Sequence, residues 1–174
     1  MGCYRVRQFL RALTARIPEE ELQQVARVLA PSSLTLFRSM ATQDQRHGLD
    51  VYTSLREAGH TDPDLLAAAL LHDVGKSATR LPAWQRAIMV LLERFAPRLL
   101  ARLGQGEPAG WRRPFVVHAK HPEIGAQWAE EAGCPPLVAV LIRRHEETHP
   151  GVPLNVQGKE AELLAALQHA DNTN

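Results

Sequence analysis

Residues Leu65 to Lys76 decide how this chain folds, and they read LLAAALLHDVGK. The part before His72 is apolar on every face of a helix, which predicts a helix at the centre of a bundle. Burying the polar pair His72 and Asp73 at its end without partners would cost roughly 2 to 7 kcal/mol for a polar group, and more for a charge. Imidazole and carboxylate are both standard ligands of zinc, manganese and iron, so the pair predicts a divalent metal ion.

The rest of the chain also predicts helices. Leu, Ala, Arg and Glu dominate and no segment alternates apolar and polar residues for long, so we predict an all-α helical bundle. The expected helices cover about 3–16, 19–30, 33–59 with a break near 41–44, 63–74, 82–103 with a bend at Pro97, 114–120, 122–132, 135–147 and 159–170.

Particular residues predict where these helices begin and end. Ser33 and Asp62 are expected N-caps, and Pro63 suits the first turn that follows Asp62. Gly75 is expected to end the central helix, and Pro122 is expected to separate two short ones. The apolar run in 82–103 is interrupted by four arginines and a glutamate, so it predicts an amphipathic helix and not a membrane span.

A metal site needs ligands from other helices, and the chain offers further candidates. These are His47, His118, His121, His145, His149, His169 and Asp171. With His47 first, His72 and Asp73 next and Asp171 last, the pattern resembles the H…HD…D pattern of the HD superfamily of metal-dependent phosphohydrolases. The resemblance covers about three quarters of the chain and implies the family's all-α HD-domain bundle, with these four residues as metal ligands.

Two further matches extend the resemblance to the two-metal branches of that family. The stretch His121-Pro-Glu-Ile-Gly125 resembles their H-P-x-x-G element, and Arg144-His145-Glu146 resembles their H-H-E element. The resemblance then implies that His121 and His145 complete a second metal position and that Asp73 bridges two ions. Arg144 replaces one histidine of the fuller pattern and no G-Y-P follows, which disfavours a cyclic-dinucleotide phosphodiesterase of the HD-GYP type.

The resemblance implies hydrolysis of a phosphate ester of a small molecule such as a nucleotide. One or two divalent ions (Mn, Fe, Zn, Co, Ni or Mg) would lower the pKa of a bound water and withdraw charge from the phosphoryl oxygens. Asp73 would hold and orient the metals, and Lys76 would neutralise the phosphate as a point charge. Arg80 and Arg144 are further candidates for binding the substrate, and Arg143 lies beside Arg144 on the same predicted helix.

Each of these assignments has an alternative. His72 and Asp73 could form a buried hydrogen bond that caps the core, and His118 with His121 could be a solvated pair one helical turn apart. His145 to His149 matches the H-E-x-x-H signature of zinc proteases, but Pro150 disfavours the helix that this signature requires. A di-iron oxygenase of the HD type, or a metal-containing regulatory module without turnover, would use the same ligands.

Composition narrows the class of protein. With 174 residues, 45% of them hydrophobic, we expect a single HD domain over 1–174, with N-terminal helices in 1–32 that pack on a metal-binding core in 33–174. A net charge of +1 and isolated tryptophans predict no nucleic-acid partner and no membrane partner. Two distant cysteines and the lack of a signal-peptide core predict a soluble, cytoplasmic protein, whose oligomeric state stays open.

Overall fold

The computed structural model describes residues 17–79, 81–147 and 158–174, and these residues form an all-α bundle. The predicted helix at 3–16, Arg80 and His149 lie outside the described residues. The helices are α1 (Glu19–Val28), α2 (Pro31–Ser39), α3 (Thr42–Glu57), α4 (Pro63–Leu71), α5 (Ala83–Phe95), α6 (Pro97–Leu103), α7 (Arg113–Glu131), α8 (Pro136–Arg144) and α9 (Lys159–Thr173). Two 3₁₀ turns, Val74–Ala78 and Gly110–Arg112, precede α5 and α7.

Helix α4 is the centre of the bundle, as its composition predicts. Its residues from Leu65 to Leu71 are buried except Ala67, which is partly buried, and α3, α8 and α9 all pack against it. Gly48 lets α3 approach closely, because a Cβ there would lie 3.0 Å from the carbonyl oxygen of Leu70. The polar residues at the end of α4 are therefore held inside the core from several sides.

The 3₁₀ turn after α4 crosses α7 at a contact that only glycine permits. A Cβ on Gly75 would lie 2.0 Å from the carbonyl oxygen of His121 and 2.8 Å from the amide nitrogen of Gly125. The prediction that Gly75 ends the central helix was wrong, because α4 already ends at Leu71 and Gly75 lies within the turn. Because Gly75 has no side chain, the turn can pack directly on α7, and this close contact brings His72 and Asp73 next to His121.

Several other predicted boundaries differ from the structure. Ser33 is not an N-cap: it is buried inside α2, where its Oγ lies 3.1 Å from Cys134 Sγ. The expected break near 41–44 separates α2 from α3, and the bend at Pro97 is a full break between α5 and α6. Pro122 does not separate two helices, because α7 continues through it.

The start of α4 confirms the predicted cap and gives a prediction about pH. Asp62 accepts hydrogen bonds from the amides of Asp64 and Leu65 at 3.0 and 3.1 Å, and Lys159 Nζ lies 2.6 Å from its other oxygen. Burial acts to raise the pKa of Asp62, but Lys159 and the two amides outweigh it and hold the pKa below its ordinary value of 3.8. The carboxylate therefore stabilises the fold above this value and stops doing so as the pH falls through the lowered pKa.

We expect Asp62→Ala to lower the free energy of unfolding by about 1 kcal/mol at neutral pH. Asp62→Asn keeps an oxygen that caps the helix, so its loss should be smaller and should reflect only the pair with Lys159. Denaturant unfolding between neutral pH and about pH 3 should show the stability of the wild type approaching that of Asp62→Ala as Asp62 becomes protonated. A constant difference over this range would contradict the assignment.

Candidate metal centre

Three histidines of the predicted site share one local arrangement. The Nδ1 of each lies close to the main-chain carbonyl oxygen three residues earlier: His72 to Ala69 at 2.9 Å, His121 to His118 at 2.6 Å and His145 to Ile142 at 2.7 Å. A carbonyl oxygen can only accept a hydrogen bond, so Nδ1 is the donor in all three. In the neutral imidazole, Nε2 is then the nitrogen with the free lone pair.

The chain frees these three carbonyls in two different ways. Ala69 and Ile142 lie in the last turns of α4 and α8, where carbonyls have no amide partner within the helix. His118 lies in the middle of α7, but its regular partner would be the amide of residue 122, which is Pro122 and has no N–H. Pro122 therefore leaves a carbonyl oxygen free inside α7, just as the helix ends leave carbonyl oxygens free in α4 and α8.

The freed Nε2 atoms converge with two carboxylates. His72 Nε2 lies 3.7 Å from Asp73 Oδ1 and 3.5 Å from Asp171 Oδ1, and His47 Nε2 lies 2.8 Å from the same atom of Asp171. The ligand-type atoms of His47, His72 and Asp73 all lie within 4.8 Å of one another, and so do those of His72, His145 and Asp171. Helices α3 and α9 and the C-terminal ends of α4 and α8 thus meet at a first position where a cation could bind.

A second position lies on the other side of Asp73. Its Oδ1 is 3.3 Å from His121 Nε2 and 3.9 Å from His145 Nε2, and the three residues are all buried. They form another group whose ligand-type atoms lie within 4.8 Å of one another. Asp73 and His145 each belong to two of these groups, so the groups overlap in one cluster.

The chemistry of this donor set fits a divalent metal ion. Within the described part of the chain, His72 Nε2, Asp73 Oδ1 and His121 Nε2 are buried and have no hydrogen-bond partner. A buried polar atom without a partner costs about 1 to 3 kcal/mol, and three such atoms pointing at one another are rarely tolerated. Imidazole nitrogen and carboxylate oxygen are ligands that transition metals accept, so the cluster could hold a divalent ion.

The electrostatics of the cluster also call for positive charge. Burial acts to lower the pKa of His72, but the charges of Asp73 and Asp171 raise it to about 9. Burial acts to raise the pKa of Asp73, yet Lys76 and His72 hold it well below its ordinary value. Burial and the neighbouring His72 lower the pKa of His145 to about 3. The carboxylate of Asp73 is thus kept ionised, as a metal ligand must be.

The structure places the predicted substrate-binding cations differently from one another. Lys76 Nζ lies 2.6 Å from Asp73 Oδ2, and its side chain is about one third exposed at 33%. Burial acts to lower the pKa of Lys76, but Asp73, Asp44 and Glu146 raise it, so it remains charged. Arg144 instead pairs with Glu147 at 2.9 Å and Glu160 at 3.3 Å, two carboxylates outside the cluster. Arg143 likewise pairs with Glu123 and Glu130.

The zinc-protease alternative does not fit the local structure. Helix α8 ends at Arg144, so His145 caps the helix and does not begin the helical turn that H-E-x-x-H requires. His118 joins the site through its carbonyl oxygen, and its ring stacks on that of His121 with centroids 6.0 Å apart. Sequence reasoning missed Pro122 as a positioning residue, although a proline directly after a ligand was the available signal.

A small pocket adjoins the second position and was not predicted. It has a volume of about 270 Å³ and lies between α6 and α7. Its lining residues are Pro97, Leu100, Ala101, His118, Ala119 and Glu146. Glu146 connects it to the cluster, because its Oε1 lies 3.6 Å from His121 Nε2.

The chain belongs to the HD domain family: the family's model matches residues 45–173, a range that includes the whole cluster from His47 to Asp171. Members of this family are commonly metal-dependent phosphohydrolases. Comparison with curated proteins and with solved structures found no match. Among the described residues, no helix is long and apolar enough to cross a membrane.

The role of Pro122 gives a prediction that separates metal binding from folding. Pro122→Ala restores an amide that competes with His121 Nδ1 for the carbonyl of His118. We expect metal affinity at the position of His121 and His145 to fall about 10- to 100-fold, as when an outer partner of a ligand is lost. The stability of the helix should not fall, since proline inside a helix costs about 3 kcal/mol relative to alanine.

Pro114→Ala is the matched control, because Pro114 lies in the first turn of the same helix, where its N–H would have no partner. Calorimetric titration with manganese and thermal unfolding of both variants would check the prediction. Equal metal affinity in Pro122→Ala and Pro114→Ala would contradict it.

Proposed function

We propose that this protein is a metal-dependent phosphohydrolase that cleaves a phosphate ester of a small molecule at a two-metal centre. The observation that carries the proposal is the position of Asp73, whose Oδ1 lies within 3.9 Å of the Nε2 atoms of His72, His121 and His145. A carboxylate shared between two groups of ligands is the arrangement that suits two neighbouring ions in phosphoester hydrolysis.

Divalent ions at these positions would lower the pKa of a bound water and withdraw charge from the phosphoryl oxygens. The residues of the chain hold and orient this chemistry. His47, His72, Asp73 and Asp171 would form the first position, and Asp73, His121 and His145 would form the second. The hydrogen bonds from Nδ1 to the main chain fix the rings of His72, His121 and His145 before any ligand arrives, so little ordering of these three remains to be done on binding.

Lys76 is the residue best suited to bind the phosphoryl group. Its raised pKa keeps it protonated at neutral pH, and its ammonium lies beside Asp73 on a side chain that is one third exposed. It would neutralise a phosphoryl oxygen while keeping its contact with Asp73. Arg144 is less suited than the sequence predicts, because its partners Glu147 and Glu160 lie outside the cluster, whereas Lys76 pairs with Asp73 inside it.

The pocket beside His118 would receive the organic part of the substrate. Its walls from Pro97, Leu100, Ala101 and Ala119 are apolar, whereas Glu146 lies on the side of the cluster. At about 270 Å³ it lies just below the roughly 300 to 1,000 Å³ usual for ligand pockets, so it suits a single ring or a similarly small group. This size is consistent with a small phosphorylated compound, and a nucleotide remains our expectation for it.

The direct test is phosphate release from a panel of nucleotides and sugar phosphates, with manganese, cobalt or iron added. We expect Asp73→Asn to lower kcat by at least about 100-fold, because it removes the charge shared by both positions. Asp64→Asn is the control, since Asp64 lies in the first turn of the same helix, at the end opposite Asp73. Circular dichroism of both variants would show that they fold.

The same experiment can contradict the proposal. Phosphate release that Asp73→Asn leaves unchanged would show that the cluster is not the catalytic centre. Metal-loaded protein that releases no phosphate from any substrate and consumes dioxygen would assign the cluster to the oxygenase class instead. Loaded protein that does neither would favour a regulatory module.

A further inference from the structure

Among the described residues, helices α5 and α6 carry a group of exposed apolar side chains. Five of the six large apolar side chains that are strongly exposed among the described residues lie on these two helices. They are Ile88, Val90, Leu91, Phe95 and Leu99. Phe95 is 76% exposed and Leu91 is 55% exposed, values that a side chain packed in a core would not show. Apolar residues grouped in this way on an isolated surface commonly mark a binding site.

The exposed residues form a stripe along the helix. Ile88, Leu91 and Phe95 follow one another at spacings of three and four residues, so they lie on one face of α5, and Leu99 extends the surface onto α6. Met89, which is buried, faces the protein instead. The stripe therefore lies on a different face of α5 from the buried Met89.

The sequence of this segment has a local excess of positive charge. Between residues 82 and 103 the chain has four arginines (Arg86, Arg94, Arg98 and Arg102) and one acidic residue, Glu93, although the whole chain has a net charge of only +1. The guanidinium carbon of Arg94 lies 5.6 Å from the centre of the Phe95 ring, so a cation directly borders the most exposed apolar side chain.

We propose that the outer face of α5 and α6 binds an anionic membrane surface. Its apolar stripe would enter the boundary between headgroups and acyl chains, and its arginines would pair with anionic headgroups. Long arginine side chains suit this position, because the apolar stem can lie in the interface while the guanidinium reaches the phosphates. The net charge, from which no membrane partner was expected, averages over the whole chain and hides this local excess.

Charge also argues against two other occupants of the stripe. A symmetric dimer would bring the same face of two copies together and place arginine opposite arginine. Residues 1–16 contain four arginines and no acidic residue, so they do not complement the surface either. An anionic bilayer supplies negative charge for the arginines and an apolar phase for the exposed side chains of the stripe.

The proposal is independent of the reaction at the metal centre, and vesicle sedimentation tests it. The full chain is mixed with phosphatidylcholine vesicles that do or do not contain phosphatidylglycerol, at low and at high salt. We expect binding only to the anionic vesicles, and weaker binding as salt screens the arginines. Replacing Leu91 and Phe95 together by Gln should weaken binding by about tenfold or more, because it removes most of the apolar contact.

A matched pair of variants isolates the charge. Arg94→Gln with Arg98→Gln should weaken binding by about tenfold or more, whereas Arg27→Gln with Arg38→Gln removes the same charge from exposed positions elsewhere and should leave it nearly unchanged.

All these positions are on the surface, and circular dichroism would confirm that the variants fold. Equal binding to both kinds of vesicle, no binding at all, or equal effects of the two arginine pairs would overturn the proposal. A dimer that the change at Leu91 and Phe95 dissociates would overturn it in favour of a second copy.

Discussion

The site depends on one repeated interaction, the hydrogen bond from a histidine Nδ1 to a main-chain carbonyl oxygen one turn earlier. It fixes His72, His121 and His145 so that each Nε2 points towards the carboxylate of Asp73. Two of these bonds use carbonyls that a helix end leaves free, and the third uses a carbonyl that Pro122 leaves free. The backbone therefore sets both the tautomer and the direction of the ligands.

The packing of the bundle also positions these ligands. The apolar helix α4 carries His72 and Asp73 into the core, and the bare backbone at Gly75 allows α7 to approach until His121 faces Asp73. Buried charge in such a place would destabilise the fold unless it were compensated. Lys76 compensates part of the negative charge of Asp73. The raised pKa of His72 indicates that Asp73 and Asp171 still favour additional positive charge beside them. A divalent metal ion bound in the cluster would compensate the remaining negative charge.

The helical composition predicted the fold class, and the resemblance to the HD superfamily supplied the residues that meet in the cluster around His72 and Asp73. Sequence patterns failed where tertiary packing overrides a local rule. Pro122 is expected to end a helix, but α7 continues through it. The carbonyl of His118, which Pro122 leaves without an amide partner, accepts a hydrogen bond from His121 Nδ1 instead. Arg144 matched a position near the site, yet it pairs with Glu147, three residues later, and with the more distant Glu160 from α9, and the motif does not reveal that these carboxylates occupy it. The pocket beside His118 depends on how α6 packs on α7, which spacing along the chain does not encode.

The most direct test of this account is an anomalous difference map from crystals of the protein grown with manganese. The account predicts two peaks separated by about 3.5 to 4 Å, both in contact with the carboxylate of Asp73, one beside His72 and the other beside His121 and His145. A map with no peak inside the cluster, or with manganese bound only to carboxylates on the surface, would contradict it.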